Sequence, residues 1–461
     1  MTAEKDLNQK RKNSELMRLM GKVALPIALQ SLIGSSLNLI DNLMVGSLGE
    51  LELNAVGVSV QIFFIYWMLL YGFSGGVATF ISQFYGVGDF RNIRRTTGLA
   101  ITVNLSAGLV FFIVALAFPH EILRIFTRFP EVIEVGVDYV RICAPTFLLL
   151  AVTQSFTIAL RATQQTRLPL YASVTALAVN TVLNYIFIFG KLGAPHMGVA
   201  GAALATSIAR SIEMGLILYM VFGRRNIIAG NLREFFSYSR RLAARVIKNA
   251  VPTTINESLW SIGTSMYVAA FARIGITAGA AIQACNTINN LFTLAAFSIG
   301  DAILILVGQK LGEGKKEEAW EMSKKMVKMG LVVGITMGVG IILLGEPILS
   351  LFTFTPEGAD YASKILIVYG ATMWIAVYNA MHITGTLRCG GDTRYAMFTE
   401  VGTVWIIGVP AAFITSLVLG WPVYFAVLAV KTEEAVKGAL LTRRYLSKKW
   451  LNNVITGIET N

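Results

Sequence analysis

The chain has 461 residues, 55% of them hydrophobic and 14% charged, with a formal net charge of +12 and a mean hydropathy of +0.62. Soluble domains carry roughly 25% charged residues, so this composition excludes an ordinary soluble protein and points to a bilayer. The basic excess lies in short loops between apolar runs and builds no single basic face, which argues against nucleic-acid binding.

Residues 1–22 are polar and carry Lys5, Lys10, Arg11, Lys12, Arg18 and Lys22. They read as a cytoplasmic tail leading into a retained first span, with no secretory signal. Apolar runs long enough to cross ~30 Å of hydrocarbon as helices follow at 20–44, 55–82, 97–118, 136–160, 169–190 and 198–222. A second set lies at 248–272, 279–309, 326–345, 362–386, 396–419 and 421–442. Lys431, Glu433, Glu434 and Lys437 interrupt the last run, leaving an interfacial or helix-packed final span open. Twelve spans place both termini on one side. Arg91, Arg94, Arg95, Arg161, Arg167, the 224–248 stretch, Lys310, Arg388, Arg394, Arg443 and Arg444 crowd one alternating set of loops. By the positive-inside rule that side is cytoplasmic, in the cell membrane. The loop at 119–135, with Arg124 and Arg128, fits this pattern least well.

The chain also repeats itself. At a shift of 226 residues, ALPIALQS at 24–31 falls on AVPTTINE at 250–257, pairing Pro26 with Pro252, Gly49 with Gly275 and Ala55 with Ala281. QFYGVG at 83–88 likewise meets QKLGEG at 309–314. At a shift of 227, RATQQTR (161–167) meets RCGGDTR (388–394). The expected fold is therefore all-α and integral to the membrane: twelve transmembrane helices in two six-helix bundles, related by a parallel internal repeat about the membrane normal. The expected domains are an N-terminal lobe (1–222), a cytoplasmic linker (223–247) and a C-terminal lobe (248–461). Two similar bundles around a cleft suit alternating access; a membrane enzyme or a structural membrane protein, the readings from another class, has no need of them.

Ionisable groups inside a membrane are expensive and mark function. Asp41 shares a helical face with Asn38, Gly34 and Gln30. It could bind and release a proton or, with neutral oxygens around it, hold Na+. Asn180 and Asn184 stack one turn apart on the fifth span, as partners for Asp41 or as interhelical glue. Glu257 follows Pro252 by five residues and pairs by the repeat with Ser31, so the two lobes differ chemically. Gln283, Asn286, Thr287 and Asn290 stripe the eighth span and could line the cleft. His382 could exchange protons near physiological pH, or serve as a structural histidine. Asp301, Glu400, Arg210 and Glu213 read as ion-pair or packing groups. Pro26 and Pro252 interrupt the first helix of each lobe and allow bending. Cys143, Cys285 and Cys389 show no metal-ligand spacing, and no GxxxxGK[ST] phosphate loop is present. No cofactor is expected beyond H+ or Na+ as coupling ion.

The stretch ALPIALQSLIGSSLNLIDNLMVGSLGELELNAVG, NTVLNYIFIFG with MGVAGAALAT after it, and GTLRCGGDTRY resemble the multidrug and toxic compound extrusion family, over about residues 15–450. The resemblance implies a V-shaped pair of six-helix lobes that exports organic cations and amphiphiles in exchange for H+ or Na+, with a coupling acid at Asp41. A monomer with small cationic or amphiphilic substrates is expected. The chain departs from the pattern in three places. Asn184 stands where many members have Asp, Ala202 offers no side-chain oxygen, and Val377 occupies the tenth-span position of an Asp in some relatives. Glu257 resembles an acid that part of the family uses for cations or cationic substrates. A lipid-linked saccharide flippase of the same superfamily is the alternative within transport. It would need cations in the cleft, where Arg210 is the main one.

Overall fold

A chain this apolar has to satisfy its backbone polar groups internally, and each long run does so as an α-helix. The structure, a computed structural model, describes residues 2–349 and 354–458. The side chains of residues 2–13, Asn38, Leu39, Ile276 and Ala295 lie outside that description. Among the described residues there is no strand. The helices run in order α1 (Thr2–Gly46), α2 (Glu50–Gly86), α3 (Phe90–Ala117), α4 (Pro119–Phe126), α5 (Pro130–Cys143), α6 (Thr146–Ala162), α7 (Arg167–Phe189) and α8 (Gly198–Leu218). After them come α9 (Leu232–Phe235), α10 (Arg240–Ala272), α11 (Ile276–Gly312), α12 (Lys316–Leu349), α13 (Pro356–Ala380), α14 (Thr393–Thr403), α15 (Val409–Phe413) and α16 (Val423–Leu446).

Local chemistry sets many of the ends. Asp89 caps α3 by accepting from the Asn92 N–H at 3.0 Å, and Thr355 caps α13 by accepting from the Gly358 N–H at 3.2 Å. Pro119, Pro130 and Pro356 open α4, α5 and α13, where a missing N–H costs nothing. Gly190 takes a left-handed φ of 63° to end α7. Wide π-helical turns continue or interrupt the later helices at Tyr219–Gly223, Met381–Leu387, Val404–Gly408 and Ile414–Val418. No periodicity in the sequence announces them.

Nine helices among the described residues are long and apolar enough to cross a membrane, or up to ten if α5 and α6, bent by 48°, form one broken span. That bend lies inside the single run expected at 136–160, with Pro145 between the two pieces. The two long helices that fall short in composition are α10 and α16, which hold Glu257 and the Glu433–Lys437 group. Part of the 119–135 loop is the short helix α4. The 223–247 linker contains α9 and the start of α10.

The chain forms two compact units. One comprises residues up to Ala28, Ala78–Gly88 and Ile247–Gly457; the other comprises Leu29–Val77, Asp89–Val246 and the chain end from Ile458. In the second unit Tyr66, Phe147, Leu123 and Val140 build one buried apolar cluster, and Val45, Val56, Ile188 and Ala203 another. Its helices approach closely at Gly98, where a Cβ would lie 1.8 Å from the Phe235 carbonyl oxygen. In the first unit α2 and α11 touch backbone to backbone: a Cβ on Gly312 would lie 2.1 Å from the Gln83 carbonyl oxygen. Small residues permit such contacts between apolar helices. The C-terminal segment seals the same region, with Trp450 fully buried and Gln83 donating to the Asn452 carbonyl at 3.1 Å.

Candidate functional site

In the second unit, α1 and α7 run in one constant register. Gln30 faces Ser173 and Asp41 faces Asn184, an offset of 143 residues in both pairs. The spacing of eleven residues on each helix is about three turns, which returns to the same face. Asn184 donates from Nδ2 to Asp41 Oδ1 at 2.5 Å and to Asn180 Oδ1 at 3.1 Å. Asn180 in turn donates to the Thr206 hydroxyl of α8 at 3.3 Å. Asp41, Asn180 and Asn184 are all buried, and Asn184 Oδ1 has no hydrogen-bond partner. A carboxylate among amides and a hydroxyl has the donor chemistry to hold either a proton or a small hard cation. The side chain of Asn38 lies outside the described residues.

The second meeting point, three turns nearer the start of α1, is also polar. Gln30 donates to the Ser173 hydroxyl at 3.1 Å and accepts from Arg161 at 2.6 Å through Nη2. Ser173 donates to Glu213 Oε1 at 2.8 Å, and the other Glu213 oxygen takes Arg210 Nη1 at 2.7 Å. Gln30 is thus only partly buried and tied into an ionic network.

In the first unit a cavity of about 330 Å³ is lined by Glu257, Asn286, Tyr369, Glu400, Glu433 and Lys437 among others. Glu257 forms a buried ion pair with Arg388. Glu400 accepts from Asn256 at 2.5 Å, and Glu433 accepts from Tyr267 at 2.5 Å while Lys437 stands 3.6 Å away. Glu434 pairs with Lys437 at 3.3 Å and accepts from Asn379 at 2.6 Å. Asn286 accepts from Tyr369 at 2.8 Å. This concentration of charge lowers the hydropathy of α10 and α16.

Asn290 of the eighth-span stripe also lines that cavity, whereas the remaining candidates lie apart from its wall. Gln283 is exposed. His382 is fully buried in the π-helical turn after α13, against Thr386 at 2.8 Å and the rings of Tyr378 and Tyr445. Pro26 and Pro252 are both buried inside their helices. Among the described residues no group of three or more His, Cys, Asp or Glu side chains could hold a metal ion.

Several participants were not singled out from the sequence. The sequence alone presents Arg388 as a loop cation and gives no reason to single out Ser173 or Thr206. The 143-residue register could have found Ser173, because it pairs Gln30 with Ser173 once Asp41 is paired with Asn184. Nothing local marks Arg388, which reaches Glu257 across 131 residues of chain.

The MatE family model matches residues 26–186 and 251–414. Over 444 residues the chain is 26% identical to the probable multidrug resistance protein NorM of Thermotoga maritima, covering 95% of this chain and 93% of that one. It is 24% identical over 436 residues to the probable multidrug resistance protein YoeA of Bacillus subtilis, covering 91% and 93%. Among solved structures, the outward-facing conformation of a multidrug resistance MATE family transporter of the MOP superfamily matches with a TM-score of 0.85 at 19% identity. The match covers 94% of this chain and 97% of that one. At that identity the likeness is one of fold.

Proposed function

We propose, proceeding from the fact that the chain belongs to the MatE family, that it is a multidrug efflux antiporter exporting organic cations and amphiphiles in exchange for H+ or Na+. As a member of that family it is a multi-pass membrane transporter and not an enzyme. The names of its relatives in Thermotoga maritima and Bacillus subtilis support multidrug export. We read the two matched segments, of nearly equal length, as the two six-helix halves of a twelve-span chain working as a monomer in the cell membrane. α10 and α16 complete the twelve, their charges facing protein rather than lipid.

The observation that carries the mechanism is the buried Asp41, held by Asn184 among Asn180 and Thr206. Export against a gradient needs a group whose charge changes with the coupling ion and whose neighbours respond. Asp41 is that group: neutralising it with H+ or Na+ changes what Asn184 and Asn180 must hydrogen-bond. The acids around the cavity of the C-terminal half, Glu257 and Glu400 among them, suit the cationic part of a substrate, which would compete with Arg388 for Glu257, and Tyr369 and Asn286 suit its amphiphilic remainder. Bending of α1 at Pro26 and of α10 at Pro252 is the motion we assign to the cycle.

The test is efflux of a fluorescent cationic dye from proteoliposomes, with pH and Na+ gradients imposed separately. Wild-type protein should move dye under one gradient, which names the ion. Asp41→Asn should lose that movement while keeping its melting temperature. Full gradient-driven efflux in the variant would sink the coupling role of Asp41.

A further inference from the structure

The loop at 119–135 departs from the charge pattern expected of its side, and the structure shows what its two arginines accompany. α3 is long and apolar enough to cross the membrane and ends at Ala117. Only Phe118, with a non-helical ψ of 42°, separates it from α4. α4 therefore starts where a span stops, at the level of the bilayer surface, on the side expected to be opposite the cytoplasm. Exposed apolar positions of α3, Val110 and Ile113 among them, lead up to Phe118, which is exposed as well. The apolar surface of a span thus runs on into this segment.

Packing fixes how α4 is rotated. Pro119, Ile122 and Leu123 are buried, and the last two join the cluster of Tyr66, Val140 and Phe147. The rest of the helix divides into two flanks. Phe118 and Ile125, seven residues apart, fall together on one of them, with Ile125 77% exposed. His120 and Arg124, four apart, fall on the other. The turn that follows adds Phe129, 67% exposed, and an exposed Arg128. Its start is held in place, because the Thr127 N–H donates to the Leu123 carbonyl at 3.0 Å.

We propose that α4 and the turn to Pro130 form an interfacial anchor in the outer leaflet of the bilayer. Phe118, Ile125 and Phe129 enter the boundary between headgroups and acyl chains, and Arg124 and Arg128 pair with phospholipid phosphates. A segment that separates apolar from basic groups in this way lies in the plane of the interface. With His120, Thr127 and Glu134, the two arginines border a pocket of about 360 Å³. Among the described residues neither arginine has an acid for a partner, and Glu134 stands 3.5 Å from His120 instead. Their guanidinium groups are free to present paired N–H donors, a geometry that matches a phosphate. Glu121 and Glu131, both exposed nearby, keep the segment at headgroup depth, since a carboxylate drawn into hydrocarbon would go uncompensated. The anchor also accounts for two arginines on a side that the positive-inside rule leaves poor in them. They follow a lipid surface and do not set the topology.

The experiment is spin-label accessibility in proteoliposomes of phosphatidylcholine and phosphatidylglycerol. Labels are placed at Ile125→Cys and Phe129→Cys, with Lys191→Cys, exposed in the loop after α7, as the aqueous reference. The three native cysteines are buried and leave these sites distinct. Labels at Ile125 and Phe129 should meet dissolved oxygen more often than a water-soluble nickel complex, at a depth of about 5–10 Å within the headgroup and acyl boundary. The label at Lys191 should favour nickel. Adding Arg124→Glu/Arg128→Glu to Ile125→Cys turns attraction to phosphate into repulsion and should bring that label out to the nickel-accessible side. Both arginines are exposed, so the melting temperature in detergent should hold, which separates lost anchoring from a lost fold. Nickel exposure at Ile125 and Phe129 equal to that at Lys191 overturns the anchor and leaves α4 as a water-facing lid or a seat for a soluble protein. An unchanged depth in the charge-reversed variant overturns the pairing with phosphate.

Discussion

At the scale of single residues, the buried ion pair between Glu257 and Arg388 has a definite energetic signature. Their side chains are 6% and 3% exposed. Removing one partner of such a pair leaves the other charge in a poorly solvating place, at a cost of about 3–5 kcal/mol. Glu257→Gln should therefore melt well below wild type in detergent, and Glu257→Gln/Arg388→Gln should recover most of the loss. Equal melting temperatures for the single and double variants would show that stability does not reside in the pairing. Residues like these were only half legible in the sequence. Asp41, Asn180, Asn184 and Glu257 announced themselves because each is a polar group in an apolar run, and cost alone makes such residues conspicuous. Their partners did not. Arg388 sits in a motif with loop character, and Thr206 and Ser173 are too small and common in spans to stand out.

At the scale of elements, the sequence was most informative where apolar length decides the outcome and least where charge or backbone chemistry intervenes. Helices such as α3 and α7 needed only an uninterrupted apolar run and a capping residue or proline near their ends. α10 and α16 carry buried charges that are compensated inside the protein, Glu257 by Arg388 and the α16 acids by Lys437 of the same helix, so composition understates how deeply they are buried. The π-helical turn at Met381–Leu387 lies in a stretch without proline, and its one glycine, Gly385, does not by itself signal a departure from α-helix. The prolines are a different case, since their effect on the backbone is local and readable. Pro26 and Pro252 each lack the N–H that would continue the helical ladder. α1 passes from one compact unit to the other after Ala28, just beyond Pro26. Pro26→Ala restores an unbroken ladder and should slow turnover several-fold without weakening dye binding. Unchanged turnover would retire bending at this position.

At the scale of the whole molecule, twelve crossings turn on α10 and α16, because composition alone supports nine or ten spans among the described residues. The two in doubt can be tested separately, because each is flanked by exposed positions. Ser237 and Arg273 bracket α10, and Trp421 and Ser447 bracket α16. The three native cysteines are buried, so they should contribute little background to labelling with a membrane-impermeant maleimide. If α10 crosses, Arg273→Cys should label on intact cells and Ser237→Cys only after permeabilisation. If α16 crosses, Trp421→Cys should label on intact cells and Ser447→Cys only after permeabilisation. This is also the direct check on the cytoplasmic termini read from the basic loops. Labelling of Ser237→Cys and Arg273→Cys from the same side would remove α10 from the membrane. Glu257 would keep Arg388 as its partner, and the charge on α10 would no longer have to be hidden from lipid. A crossing α10, by contrast, requires each of its buried charges to find a partner within the protein. Glu257 meets that requirement through Arg388, and the helix's lower hydropathy then reflects charge held inside the protein rather than a helix outside the bilayer.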